Sequence, residues 1–240
     1  MGVTVERRAV GSLRGAAIRV TDLIRVYREA EVETIALRGV DLEIAPGEFV
    51  ALAGRSGSGK STLLAMLAGL DRPTAGRILV DGLDLSTAGE TERARLRGGK
   101  IGIVFQSQNL VPFLDLTENV ALAATLAGRP ATADEVRDVL DRVGLGERRH
   151  HRPSQLSGGE QQRAALAALL VTRPRILLGD EITGELDSTN AAALLDLVRE
   201  IHTADNTTIV LATHDPEIAR RADRVLELRD GRIVAERRAA

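Results

Sequence analysis

The chain has 240 residues, 44% of them hydrophobic and 28% charged, with a formal net charge of −2 and no cysteine. That is enough apolar material for one large or two small cores; it excludes disulfides and thiolate metal sites and lacks the basic surplus of a nucleic-acid binder. No apolar run reaches the roughly 18 residues that cross a bilayer, and the N-terminus, with Glu6, Arg7, Arg8 and Arg14 among short apolar pieces, lacks a secretory signal, so a cytoplasmic protein is expected. Residues 1–17 read as a loosely held extension. From Ala17 to Ile44 the pattern suggests strands, with Val40, Leu42 and Ile44 alternating. After the turn Pro46-Gly47, the apolar run Phe49-Val50-Ala51-Leu52-Ala53 reads as a buried strand.

The next nine residues, Gly54-Arg55-Ser56-Gly57-Ser58-Gly59-Lys60-Ser61-Thr62, fit G-x-x-x-x-G-K-[ST] at every fixed position. Leu63 to Ala68 then reads as a helix closing on Gly69. This strand–loop–helix context is what the motif requires. The glycines let backbone N–H groups curl around a polyphosphate, and the helix turns its positive end to the same anion. Lys60, one of only two lysines, supplies a cation for the terminal phosphates, and Ser61 a hydroxyl for Mg²⁺.

Residues 76–82 read as a short strand with a turn, and Ile101-Gly102-Ile103-Val104-Phe105 as another strand. Aromatics are scarce, and Phe49 and Phe105 are expected in the core because both sit in strand-like runs. Residues from about 107 to 172 carry mostly helical patterns. Thr132 and Glu135 form a capping box ahead of Val136, Val139, Leu140 and Val143, with Gly144 and Gly146 ending that helix. His150-His151 lies in a basic loop and reads as solvated rather than as a metal pair, since adjacent histidines without carboxylate partners make a poor site.

Strands return at Ile176-Leu177-Leu178-Gly179-Asp180, apolar without alternation as in a central parallel strand. A helix is expected from about 188 to 202 and a strand at 208–212. Asp215-Pro216 opens a helix, and residues 225–234 form a hairpin. In open α/β sheets ligands gather at the carboxyl ends of strands. Asp180 there can hold Mg²⁺ for a nucleotide in the phosphate loop while Glu181 faces an attacking water.

Gln155-Leu156-Ser157-Gly158-Gly159-Glu160 opens another helical run and by itself reads as an anion-binding N-terminus or an ordinary cap. Placed between the phosphate loop and Asp180-Glu181, it resembles the signature of the ATP-binding cassette family, and the likeness covers about residues 18–234. The resemblance implies an α/β P-loop nucleotidase core, a parallel sheet flanked by helices, with an N-terminal antiparallel β region and an inserted helical subdomain. It implies one ATPase domain over residues 18–240, with the helical subdomain at about 107–172. It implies ATP and Mg²⁺, and two cassettes sandwiching two nucleotides. Ser157, Gly158 and Gly159 would then complete the partner's site, Tyr27 would stack on adenine, and Gln106 would sense Mg²⁺ and water and couple to a membrane partner. Asp180 would bind the metal, Glu181 act as general base, Asp187 cross the interface and His214 bond the γ-phosphate.

The run 56–64, the stretch 69–76 and Phe105 to Pro112 are similar to the lipoprotein-release and macrolide-export ATPases. That likeness implies separate permeases with large extracytoplasmic domains, membrane association only through them, and no nucleic acid. The sequence ends soon after Val234, so the C-terminal regulatory domain that many sugar importers carry is not expected. A regulatory cassette of the cell-division type and a non-transport cassette are the alternatives. Three positions depart from the family: Ile182 stands for a proline, Glu185 for asparagine or a small residue, and Ala168 for an arginine. The first two are expected to put a stiff side chain and an extra charge near the dimer interface.

Overall fold

The computed structural model describes residues 15–29, 32–107, 109–184 and 186–238. The first fourteen residues of the expected extension, Gln108 and Glu185 lie outside them.

Four strands form one antiparallel sheet: β1 (Ile18–Glu29), β2 (Val32–Ile44), β4 (Ala75–Val80) and β5 (Leu83–Asp84), in the order β2-β1-β4-β5. Six form a second sheet, from β3 (Phe49–Ala53), β6 (Ile101–Val104), β7 (Ile176–Asp180), β8 (Thr208–Thr213), β9 (Arg224–Arg229) and β10 (Arg232–Arg238), in the order β10-β9-β3-β8-β7-β6. Pairing in that sheet is parallel except for the β9–β10 hairpin at its edge. Consecutive parallel neighbours are far apart in sequence, as crossover connections require.

The six-stranded sheet is apolar on both faces, and its period of two sorts residues into two cores. Phe49, Ala51, Leu177, Ile209 and Leu211 face one. Val50, Leu52, Ile176, Leu178, Val210 and Ala212 face the other. The second core holds α1 (Lys60–Leu67) and the four-stranded sheet. The first is covered by α3 (Leu116–Leu126), α4 (Ala133–Arg142), α5 (Gly158–Leu170), α6 (Ser188–Asp205) and α7 (Pro216–Arg221). So α3 to α5, which fall between β6 and β7, share a core with the sheet. Among the described residues no helix is long and apolar enough to cross a membrane.

Local signals act as their chemistry predicts. Thr132 caps α4, its hydroxyl accepting the Glu135 N–H at 3.2 Å while Glu135 accepts the Thr132 N–H at 3.0 Å. Asp215 caps α7 through the Glu217 N–H at 2.8 Å. The helix α6 runs past 202 and stops where Asn206 turns left-handed at φ 50°.

Two expectations need correction. Phe49 is core, but Phe105 is 45% exposed. The strand ends at Val104, and the Phe105 N–H and carbonyl are taken by the Asn109 side chain at 2.8 and 2.6 Å, which turns the chain before Phe105 can pack. Ile182, expected near the dimer interface, is 4% exposed and packed in the first core of its own chain. One further helix, α2 (Glu90–Gly99), buries only Arg93 and Leu96 and carries too little apolar periodicity to be expected from sequence. His150 is exposed, and it does have a carboxylate neighbour, with Nδ1 3.5 Å from Asp115 Oδ2.

Candidate nucleotide site

The phosphate loop leaves the carboxyl end of β3 and enters α1. The Ser58 N–H bonds the Arg55 carbonyl at 3.1 Å, closing a tight turn, and the Leu63 N–H bonds the Gly59 carbonyl at 2.9 Å, starting the helix. Gly59 sits at φ 106°, a conformation side chains reject, and a Cβ there would lie 2.7 Å from the Ala36 carbonyl of β2. Glycine at this position therefore lets the loop lie against the antiparallel sheet. Beside the loop is a groove of about 780 Å³ walled by Gly54, Arg55, Ser56, Gly57, Ser58 and His214, and by the β9–β10 hairpin at Glu227 and Arg229. That volume suits a nucleotide.

Lys60 is buried, and its Nζ donates to the Gly54 and Arg55 carbonyls at 2.9 and 3.2 Å. Glu181 Oε1 lies 3.7 Å from that Nζ and 3.4 Å from His214 Nδ1. Three expected site residues from α1 and from the ends of β7 and β8 thus meet at one carboxylate. Glu181 reaches this position because the chain turns left-handed at it, φ 48°, with its N–H on the Ala212 carbonyl and its own carbonyl accepting the Gly184 N–H, both at 3.0 Å. Asp180 falls in step with Ile176 and Leu178, on the α1 face of the sheet.

Asp180 Oδ1 and Ser58 Oγ are buried and have no hydrogen-bond partner among the described residues. Buried polar atoms are nearly always paired, so an orphaned carboxylate oxygen suits a cation and an orphaned hydroxyl in a phosphate loop suits an anion. Ser61, the first residue after Lys60, is exposed, and Thr62 is half-buried. Among the described residues no cluster of three or more His, Asp or Glu could hold a metal alone. The donor set of Ser61 and Asp180 fits instead a hard cation that draws its other oxygen ligands from phosphate and water.

The signature lies elsewhere. Ser157 caps α5, its hydroxyl accepting the Glu160 N–H at 3.3 Å while the Glu160 carboxylate accepts the Ser157 N–H at 2.9 Å. The Ser157 N–H holds the Glu160 carboxyl below the usual glutamate range, against the opposite push of partial burial. Ser157 and Gly158 are exposed, and none of residues 157–159 walls the groove at the phosphate loop. Asp187 caps α6 by accepting the Thr189 and Asn190 N–H groups at 3.0 Å each. Its carboxyl is held low first by the Asn190 backbone bond, then by the Asn190 side chain, whose Nδ2 donates to Oδ2 at 2.6 Å. That same Asn190 side chain touches Gly159, where a Cβ would sit 2.9 Å from its Cγ. Asn190 therefore ties the signature to the Asp187 loop. The sequence reading missed it, though its place three residues after a capping aspartate was a usable signal.

Gln106 lies past β6, near the turn that follows Glu181: its Nε2 is 3.6 Å from where a Gly184 Cβ would be, and its carbonyl accepts from Gln162 Nε2 of α5. Tyr27 lies on β1 opposite Thr34. Ala168, partly buried, lines a cavity of about 290 Å³ between α5, β6 and α3.

The family model described as "ABC transporter" matches residues 37–184. A lipoprotein-releasing system ATP-binding protein, LolD, from Xanthomonas oryzae pv. oryzae is 44% identical over 220 residues, 91% of this chain and 90% of that protein. The macrolide export ATP-binding/permease protein MacB from Brucella melitensis is 46% identical over 221 residues, of which 91% of this chain spans only 34% of the relative's length. A dimeric post-hydrolysis structure of the ATP-binding cassette MJ0796, bound to ADP and Pi, superposes with a TM-score of 0.87 at 35% identity, covering 93% of this chain and 99% of that one. With the family model spanning more than half of the chain and relatives at 44–46% identity, the chain belongs to the ABC transporter family.

Proposed function

We propose that this cassette works as a homodimer that hydrolyses ATP with Mg²⁺ and drives a separate permease of the lipoprotein-release or macrolide-export type, one with large extracytoplasmic domains. Residues 18–240 form its single ATPase domain, with a helical subdomain at about 107–172, and the protein sits on the cytoplasmic face of the membrane through that permease. The observation that carries this reading is the meeting of Lys60 and His214 at the Glu181 carboxylate, beside the orphaned Asp180 oxygen.

Lys60, the loop N–H groups and the start of α1 hold the nucleotide's phosphates. Ser61, Asp180 and Gln106 hold the Mg²⁺, which when bound neutralises charge on the transferred phosphoryl group. Glu181 accepts a proton from the attacking water as its oxygen bonds to the γ-phosphorus and the bond to the bridging oxygen of the leaving ADP breaks. His214 bonds the γ-phosphate and keeps Glu181 oriented. Gln106 stands beside a groove of about 640 Å³, walled by Leu110, Val111, Pro112 and Pro153, with exposed Phe113 next in the chain; this apolar surface is the permease's seat.

Ser157 and Gly159 act in trans, because they do not wall their own chain's groove. The test mixes a Ser157→Arg subunit with a Lys60→Ala subunit, each inactive alone. In the mixed dimer one intact loop meets one intact signature, so ATPase activity is expected to return at about half the wild-type rate per dimer, if the sites act independently. A verified mixed dimer with no recovered activity refutes the composite site.

A further inference from the structure

Tyr27 is the only tyrosine of the chain. It pairs with Thr34, and two residues further along β2 the Ala36 carbonyl lies against Gly59 of the phosphate loop. At about 3.3 Å per residue and 4.8 Å between strands, the ring is within reach of a nucleoside whose phosphates sit on that loop.

Two contacts hold the ring, and a third joins the residues that make them. The Arg25 guanidinium carbon lies 4.2 Å from its centroid and covers one face. The Tyr27 hydroxyl donates to Asp71 Oδ2 at 2.9 Å. Arg25 Nη2 meets the same Oδ2, also at 2.9 Å. Asp71 is itself fixed, its Oδ1 accepting the Arg72 N–H at 2.7 Å. Thr74 fastens the loop to β1, with its N–H on the Ile24 carbonyl at 2.8 Å and its hydroxyl accepting the Val26 N–H at 3.0 Å. This loop follows α1 directly, and α1 begins at Lys60. One short helix therefore has the phosphate lysine at its start and the anchor of the aromatic ring just past its end.

The Arg25–Asp71 pair is partly buried, an arrangement that is weak evidence for stability, and it also leaves Arg25 Nε buried with no hydrogen-bond partner among the described residues. We propose that Asp71 and Arg25 are positioning residues for the nucleotide base: Asp71 pins the Tyr27 hydroxyl and the Arg25 guanidinium at one oxygen, Arg25 backs one face of the ring, and the other face receives adenine. The inference rests on the reading of Tyr27 as the base-stacking residue. Pinning the ring removes rotamer freedom that stacking would otherwise have to freeze. The guanidinium draws on the ring's negative face and leaves the opposite face a better surface for an electron-rich base.

The experiment titrates ADP and inorganic pyrophosphate separately into the full chain and its variants by calorimetry. Both ligands use the phosphate loop, and only ADP carries the base. Asp71→Ala and Arg25→Leu are each expected to weaken ADP about fivefold and to leave pyrophosphate within about twofold, with Asp71→Glu recovering most of the loss. Equal weakening of both ligands means a merely structural role and overturns the inference. Unchanged ADP in Asp71→Ala and Arg25→Leu, with ADP weakened in Tyr27→Ala, overturns the clamp and leaves the stacking residue standing. Unchanged ADP in Tyr27→Ala overturns both. Should melting curves show Asp71→Ala unfolded, Asp71→Asn keeps an acceptor for the hydroxyl and loses the charge facing Arg25. Weakened ADP with unchanged pyrophosphate in that variant supports the clamp, and unchanged ADP overturns it.

Discussion

Gly179 tests how the two carboxylates at the end of β7 are held. It directly precedes Asp180 and points to the opposite face of the sheet. A methyl group there would lie 2.6 Å from Leu211 Cδ2 and 2.9 Å from Ile182 Cγ2. Both neighbours are buried in the first core, at 0% and 4% exposure, so neither can swing into solvent. Overpacking of this kind costs about 1–3 kcal/mol, and replacing glycine offsets roughly 0.5–1 kcal/mol through the unfolded chain. Gly179→Ala is therefore expected to lose about 1–2 kcal/mol, lowering the melting temperature by roughly 2–8 °C for a chain of this size. Ile182 is joined to Glu181 across that residue's left-handed turn, so displacing Ile182 also tilts the proposed general base. The ATPase rate is expected to fall even at temperatures where the variant is fully folded. Ile182→Ala removes one obstacle, so the double variant Gly179→Ala/Ile182→Ala is expected to deviate from additivity by about 0.5–1 kcal/mol or more in the favourable direction. Scanning calorimetry on the four proteins of this cycle measures the coupling. A Gly179→Ala protein as stable and as active as wild type, or strict additivity, refutes the reasoning.

Glu181→Gln keeps the shape of the side chain and loses the proton acceptor, so hydrolysis is expected to drop by about 100-fold or more, while ATP and Mg²⁺ still bind. With one negative charge fewer near the γ-phosphate, the ATP-loaded variant is expected to elute as a dimer in size-exclusion chromatography; hydrolysis at the wild-type rate removes Glu181 from the mechanism, and an inactive monomer tells against the closed sandwich. The Glu160 carboxyl, held below its ordinary value of 4.5 by the Ser157 N–H, contributes stability that is fully present above about pH 4.5 and lost as pH falls through the lower folded value. Wild type is thus expected to exceed Glu160→Gln in urea stability at about pH 7, the gap closing toward about pH 3; a gap that does not change with pH contradicts the assignment.

Features written along a single element are legible in the sequence, because spacing alone decides them. The strand–loop–helix at 49–68, the capping boxes of α4 and α5, the Asp215-Pro216 start of α7 and the Asp180-Glu181 strand end are all of this kind. Features made where two distant elements meet are not, since no spacing encodes the partner. Phe105 has a strand's surroundings in sequence, but the Asn109 side chain takes its backbone and the ring stays outside. The helix α2 is held partly by polar bonds, such as that from Arg97 Nη1 to the Gly69 carbonyl at 2.6 Å, and hydrophobic periodicity is blind to those. Asn190 joins the signature to Asp187, and Asp71 joins Arg25 to Tyr27, through contacts 31 residues or more from one partner in sequence. Ile182 shows the consequence for comparing families. Taken alone, isoleucine in place of proline beside the proposed general base suggests a stiff group at an interface. Taken with Gly179, whose missing side chain leaves room for Ile182 Cγ2, it is one half of a packing pair in the core. A departure at one position has a defined physical meaning only once the residue that shares its space is known. That residue can stand three places away along the strand end, as Gly179 does, or on the neighbouring strand, as Leu211 does.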